Sequence, residues 1–387
     1  MSAEGRIPNI RELTARVVRR FWRFLAQSFR AAARLFHRCR RFLSQSLRGA
    51  IVLMVLVALP LAWWANRVHR QRHAVELIRA AGGVVFYEGD SVDNPLPLTL
   101  AWPAWLVDAL GVDFFTNVIG VSLNQRAGDR ELQEIADNLP HVASIEILGA
   151  RVTAAGIAPL AQLPSLIALE IKHSTLAKPD LQAIGRLQNL TVLVLRGSKL
   201  DEDGLDRLKD LWNLATIDLS STGVGDRALE HVGQAVSLTT LLLANTQAGD
   251  RGLHELVELR RLIELDLTGT LVTDQGLKEL ASLAELEDLG LDRTQVGDAG
   301  LEMLAKLPAL KTLRLRRTRV TDRGLGRLAG CMMLTELQLD GTAVGDAGLE
   351  TLRFPTAPLQ ISVLHTRVTE AGAANLEIIS PLLEILR

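Results

Sequence analysis

From Val118 onward the chain repeats itself every 24 residues. An apolar residue opens each unit at Val118, Val142, Leu166, Leu190, Leu214, Leu238, Leu262, Leu286, Leu310 and Leu334, with Pro358 in the same place in a degenerate last unit. A fixed period of this length means that each unit is one supersecondary element, which cannot bury its apolar face alone and must stack on its neighbours. The consensus L-x-x-L-x-L-x-x-T-x-V-x-D-x-G-L-x-x-L-x-x-L-x-x changes its own rhythm midway. Its first portion spaces apolar residues by two, as a strand with one buried face requires. The portion G-L-x-x-L-x-x-L spaces them by three, as a helix requires. A strand, a helix and another strand demand a parallel, right-handed crossover. The expected fold is therefore α/β, a solenoid with a parallel sheet on its concave side and short helices on its convex side.

This consensus resembles the leucine-rich repeat family, and especially bacterial repeats of the T-x-V-T-D-x-G-L type. The resemblance runs over eleven registered units, from Val118 to the end of the chain. It implies a right-handed horseshoe, ribonuclease-inhibitor-like, and a role in binding, without naming a ligand.

Two polar columns interrupt the core pattern. At the ninth place stand Ser174, Ser198, Thr222, Thr246, Thr270, Thr294, Thr318, Thr342 and Thr366. A hydroxyl there can bond backbone groups left unpaired where the chain turns out of the strand. At the thirteenth place stand Asp226, Asp250, Asp274, Asp298, Asp322 and Asp346, followed two residues later in most units by Gly252, Gly276, Gly300, Gly324 and Gly348. Aspartate just ahead of a helix reads as an N-cap, worth about 1 kcal/mol. A calcium ladder is the alternative, but the nonapeptide calcium pattern with paired glycines is absent. Cys331 falls in a column otherwise held by leucine and reads as a small core residue. With Cys39 in an unlike segment, the two cysteines suggest neither a disulfide framework nor a zinc site.

Ahead of the repeats the chain divides by charge. The net charge is -1, yet residues 1–73 hold fifteen arginines against two glutamates, +13, which leaves -14 for the rest. Opposed halves of this kind suit a basic end that meets an anionic surface and an acidic folded domain. Residues 49–65, GAIVLMVLVALPLAWWA, are uncharged, close on Trp63 and Trp64, and lie between Arg48 and Arg67. As a helix they span roughly 26 Å and read as one transmembrane segment with a tryptophan belt. A cleaved signal peptide is the competing reading, against which stands the long segment before it. Residues 1–48 form a basic tail in which Val18, Phe21, Leu25, Phe29, Ala32, Phe36, Cys39, Leu43 and Leu47 mark one helical face. That suits a helix on an anionic cytoplasmic leaflet, with the repeats outside the cytoplasm; a disordered positive-inside tail is the alternative. Arginine without a nucleic-acid-binding fold motif is no ground for expecting nucleic acid as a partner. Residues 66–117 read as a linker and cap: a short helix, a Gly-Gly turn, a strand, and a second helix begun at Pro103. Trp102, Trp105, Phe114 and Phe115 are suited to cover the open flank of the first unit. The repeat domain is 118–387.

No phosphate loop, H-E-x-x-H, G-x-S-x-G or C-x-x-C motif occurs, so an enzyme, a cofactor and a metal are not expected. The concave strand face is the better place for function. Its third places hold Thr216, Thr240, Glu264, Asp288, Thr312 and Glu336, its fifth Asp218, Leu242, Asp266, Gly290, Arg314 and Gln338, and its seventh Ser220, Ala244, Thr268, Asp292, Arg316 and Asp340. Neighbouring strands bring each column to about 4.8 Å spacing. An acidic field of Asp218, Glu264, Asp266, Asp288 and Asp292 borders an arginine cluster of Arg293, Arg314, Arg316, Arg317 and Arg319, and Arg316 is expected between Asp292 and Asp340. One reading is a cross-strand ion ladder that relieves like-charge crowding. The other is a site for a protein partner with a bipolar charge pattern. The expected function is a membrane-anchored scaffold that binds a macromolecular partner through the concave face. The alternative is a self-associating envelope protein that packs through its C-terminal strand edge. Polysaccharide binding is disfavoured on the concave face, which lacks a row of aromatics.

Overall fold

The structure, a computed structural model, describes residues 47–89, 107, 110–352, 359–379 and 383–386, with side chains throughout these except at 47–53, 329, 376–379 and 383. The expectations placed on residues 1–46, on Trp102, Trp105 and the helix from Pro103, and on Pro358 lie outside the described residues. The chain falls into two compact units, residues 1–69 and 70–387.

A single helix, Leu47–Ala80, includes the apolar run 49–65 and continues without a break. The separate short helix expected after His73 is thus the end of this one, because nothing from Ala65 to Ala80 interrupts a helix and only Gly82, at φ 79°, turns the chain away. Met54, Leu56, Leu59, Leu61 and Trp63 are exposed along its first half. The Arg67 guanidinium lies 5.3 Å from the centre of the Trp64 ring. Among the described residues no helix is long and apolar enough to cross a membrane; residues 49–53, where the apolar run begins, have no described side chains.

The second unit is built on a sheet of thirteen strands among the described residues, and their order in the sheet is their order in the chain. The first strand, Val84–Tyr87, lies antiparallel to the second, Val118–Leu123. Each later strand runs parallel to the one from the unit before, in a register that steps by 24: Thr240, Glu264 and Asp288 are successive neighbours. Short α and 3-10 helices alternate with the strands, from Asp129–Asn138 to Glu370–Ile379. The core between the two layers is leucine. In one unit, Leu262, Leu265, Leu267, Leu277 and Leu280 are wholly buried, each contributing about 2 kcal/mol of transfer free energy. Cys331 belongs to this core, and burial pushes its thiol up to about 11.

The flank of the first unit is covered by Ala74, Val75 and Ile78 from the helix and by Val85 and Tyr87 from the first strand, all buried. The expected aromatics contribute less: Phe114 and Phe115 are half-buried and meet each other edge to face, 5.1 Å apart. Asp113 ties the cap together, accepting from Gln71 Nε2 at 3.1 Å and from the Tyr87 hydroxyl at 2.9 Å.

Each unit leaves its strand through a left-handed residue at the eighth place. Glycine fills it at Gly149, Gly197, Gly269 and Gly341, but His173, Ser221, Asn245, Arg293, Arg317 and His365 adopt the same conformation with φ of 54–58°. The hydroxyl at the next place does what the sequence predicts. Thr222, Thr246, Thr270, Thr294, Thr318, Thr342 and Thr366 each donate to the carbonyl three residues back, at 2.5–2.7 Å. Ser198 instead reaches across units, donating to Ile171 O and accepting from Ser174 N, both at 3.0 Å.

The aspartate column departs from expectation. Asp226, Asp250, Asp298, Asp322 and Asp346 are the first residues of their helices, and the cap position belongs to the residue before, Gly225, Gly249, Gly297, Thr321 and Gly345. Asp274 precedes the 3-10 helix Gly276–Ser282. The carboxylates turn to the next unit instead. Asp226 accepts from Gly249 N and Asp274 from Gly297 N at 2.7 Å, and Asp322 from Gly345 N at 2.6 Å. Asp250, Asp298 and Asp346 accept from both the N–H and the hydroxyl of Thr273, Thr321 and Thr369. The cause is the extended backbone at each cap, whose own N–H finds no partner within its helix and meets the carboxylate 23 residues earlier. The glycine completes the clamp: a Cβ at Gly252, Gly276, Gly300, Gly324 or Gly348 would stand within 2.7 Å of the previous unit's aspartate Oδ1. Glu202 plays the same part toward Gly225 N at 2.8 Å, and Asp129 toward Thr153 N at 2.7 Å.

Candidate partner-binding face

Strand residues alternate between the core and the outer face of the sheet. With Leu265, Leu289 and Leu313 buried, the outer face carries Glu264, Asp288, Thr312 and Glu336 in one line and Asp266, Gly290, Arg314 and Gln338 in the next. Arg314 is the centre of this arrangement. Its Nη1 donates to Asp288 Oδ2 at 3.1 Å and lies 2.9 Å from Oδ1, which is buried without an aligned hydrogen bond of its own. Gly290 separates Asp266 from Arg314 along the second line, and a Cβ there would meet Asp266 Oδ1 and Arg314 Nη2 within 3.0 Å. A glycine inside a strand weakens it unless another group needs the space; here the carboxylate and the guanidinium both lean into that space.

The field is crowded with negative charge. Burial, then the nearby Asp288 carboxylate, raise the pKa of Glu264 above its ordinary value. Burial also raises Asp288, against the opposing pull of Arg314, and Asp292, against the hydrogen bond from Arg316 N. Arg316 does lie between Asp292 and Asp340, in two different ways. Its backbone N donates to Asp292 Oδ1 at 2.7 Å, and its Nε sits 3.0 Å from Asp340 Oδ2.

Other expected members are set apart. Asp218 is buried and accepts from Ser220 N at 2.8 Å, which ties it to its own turn. Arg293 and Arg317 occupy the left-handed turn beside the sheet, exposed, with no ion pair among the described residues. Arg319 lies beyond the turn, its Nη2 donating to Gln295 Oε1 at 3.3 Å. Thus Glu264, Asp266, Asp288, Asp292, Arg314, Arg316 and Asp340 come together on the sheet, while three arginines line its edge.

A second charged group was legible in the same columns but lies outside the expected field. Lys172 Nζ is 3.1 Å from Glu146 and 2.5 Å from Glu170, and the Glu170 contact does most to raise its pKa. Counting the fifth and seventh places from Val142 and Leu166, rather than from Leu214, finds these residues. Among the described residues no three metal-ligating side chains converge.

Residues 330–352 match the family model described as Leucine Rich repeat. No curated protein matches the chain. Among solved structures it is similar to an internalin from Listeria monocytogenes, 18% identical, covering 77% of this chain and 98% of that one at a TM-score of 0.46. It is also similar to an internalin C2 from the same organism, 27% identical, covering 55% and 83% at a TM-score of 0.41. The chain carries a leucine-rich repeat at residues 330–352, and the units before it are built to the same pattern of strand, left-handed turn and short helix.

Proposed function

We propose that the outer face of the sheet binds a protein partner whose basic residues meet Glu264, Asp266, Asp288 and Asp292 and whose acidic residues meet Arg293, Arg316 and Arg317. The observation that carries this reading is the uncompensated field: three carboxylates with raised pKa values share the guanidinium of Arg314. Like charges set in register destabilise a sheet, so folding alone gains nothing from them, whereas an incoming cation would be bound. The protein acts as a scaffold, without catalysis, cofactor or metal. Residues 49–65 anchor it in a membrane, with the basic tail on the cytoplasmic leaflet and the repeats on the other side; the exposed apolar side chains from Met54 to Trp63 support this, because lipid covers what water would penalise. Association between copies is the alternative, supported by the outer edge of Leu383–Leu386, the last strand in the described sheet.

The test is crosslinked capture from membranes with the full chain and with an Arg293→Glu, Arg316→Glu, Arg317→Glu variant. Arg314 is left intact, since a further carboxylate beside Asp288 would disturb the fold. The expected result is a partner held by the parent and lost by the variant at an unchanged melting temperature. Equal capture by both removes the sheet face from the proposal, and capture only of differently tagged copies of this chain favours self-association. Release of the protein from membranes by alkaline carbonate would remove the anchor.

A further inference from the structure

A second site lies on the helix side, where the chain returns to its strands. A cavity of about 460 Å³ is lined by Gln182, Gly185, Arg186, Gln188, Arg207 and Asp210, a volume within the range that small ligands occupy. Arg186 follows the helix Lys178–Ile184, is exposed, and makes no ion pair among the described residues. Arg207 reaches the same cavity from the next unit. Its stem lies over Gly185, where a Cβ would strike it, and its Nη1 is 3.1 Å from Asp210. Two guanidinium groups against one carboxylate leave the lining positive.

Trp212 stands at the mouth, two residues beyond Asp210, and is 67% exposed. Its indole N–H donates to Gln188 Oε1 at 3.1 Å, so a cavity residue holds the ring in place. That bond leaves the Gln188 amide N–H groups available as donors. Val236, at the same place in the next unit, is also exposed and extends the apolar platform.

We propose that this cavity and Trp212 form a subsite for an acidic saccharide. The C–H face of a pyranose ring lies on the indole, its carboxylate meets Arg186 and Arg207, and its hydroxyls meet the amides of Gln182 and Gln188. Each part answers to a separate feature of the ligand: an exposed aromatic with a polar neighbour suits a ring that is apolar on its face and wet at its rim, and planar guanidinium matches planar carboxylate. The lining offers no apolar pocket for a peptide side chain. The aromatic missing from the sheet face is present here, and the proposal stands whether or not that face binds a protein.

Full-length protein in a detergent without a sugar headgroup is titrated with tetragalacturonate, with maltotetraose and inorganic sulfate as comparisons, by tryptophan fluorescence and calorimetry. The acidic oligosaccharide should bind saturably, with maltotetraose and sulfate at least about tenfold weaker. Trp212→Leu and Arg186→Ala should each weaken it about tenfold, Trp212→Phe should restore most of the binding lost in the leucine variant, and Glu264→Gln should leave it unchanged. All four variants should keep the parent melting profile within about 1 kcal/mol, since the changed residues are exposed or partly exposed. No saturable binding, or equal binding by Trp212→Leu, overturns the site. Sulfate binding as tightly reduces it to an anion site, and maltotetraose binding as tightly removes the arginines' role; either result overturns the acidic-saccharide assignment.

Discussion

The protein carries two rows of acidic side chains on opposite sides of the same turn, and they meet opposite fates. In the helix-side row, from Asp226 to Asp346, each carboxylate accepts from the backbone N–H of the next unit, and a glycine makes room for it. In the sheet row, Glu264, Asp288 and Asp292 face one another and a single central arginine, and burial lifts their pKa values. Repetition makes charge structural where a backbone donor repeats with the same period. Where it does not, as on the outer face of a parallel sheet whose N–H groups are already paired, like charges accumulate and remain available to a partner. The Lys172 group shows a third outcome, in which a lysine between Glu146 and Glu170 supplies locally what the field lacks.

The sharpest way to break this contrast is through the clamp. Gly300→Ala places a methyl against Asp274 Oδ1, Leu277 Cδ1 and Val296 Cγ1 and should destabilise the fold by about 2 kcal/mol in chemical denaturation. Asp274→Ala should cost about 1.5 kcal/mol by stranding Gly297 N. The double variant should lose less than the sum by about 1 kcal/mol, because the methyl then has space; strict additivity would separate aspartate from glycine. A smaller effect of opposite sign is expected at the turn. Arg317→Gly relieves a left-handed residue at φ 54° and should stabilise by about 1 kcal/mol, while partner capture weakens. A gain in stability with unchanged capture would confine Arg317 to the turn.

The smallest effects concern pH, and the two rows should respond in opposite directions. Glu264 is raised from 4.5, so the folded state holds its proton more tightly. Its favourable contribution is full below the unfolded pKa and lost as pH rises through the folded one. Glu264→Gln should therefore stabilise at neutral pH, by less than about 1 kcal/mol for a partly exposed group, and the gain should vanish on acidification. Asp346 is lowered from 3.8, first by the Thr369 N–H and then by its hydroxyl. Its contribution is present above the unfolded pKa and lost as pH falls through the folded one. Carboxyl NMR titration should find Asp346 below 3.8 and Glu264 above 4.5; a reversed order would dissolve the distinction between the rows.

Much of the fold was legible because it is periodic. The strands, the buried leucines, the hydroxyl at the ninth place and Cys331 in a leucine column all follow from spacing, since a side chain's direction in a strand or helix is set by its place in the unit. The candidate face was legible as columns, and the place of Arg316 between Asp292 and Asp340 with it. The clamp was not, because a capping aspartate and an aspartate reaching 23 residues onward are the same letter before the same helix. Nor was the division of the arginines, which depends on the left-handed turn that carries Arg293 and Arg317 off the sheet. The cap was misjudged for a related reason: aromatic residues suited a flank that Ala74, Val75 and Ile78 cover, since a helix packs its small residues close while large rings stand off.

Sequence by itself determined what repeats, and so which residues share a column and which side of the chain faces the core. Tertiary structure alone decided which carboxylates are satisfied. A column places identical groups about 4.8 Å apart, but whether a donor enters that row depends on how the neighbouring backbone turns, and that is settled only when the units stack.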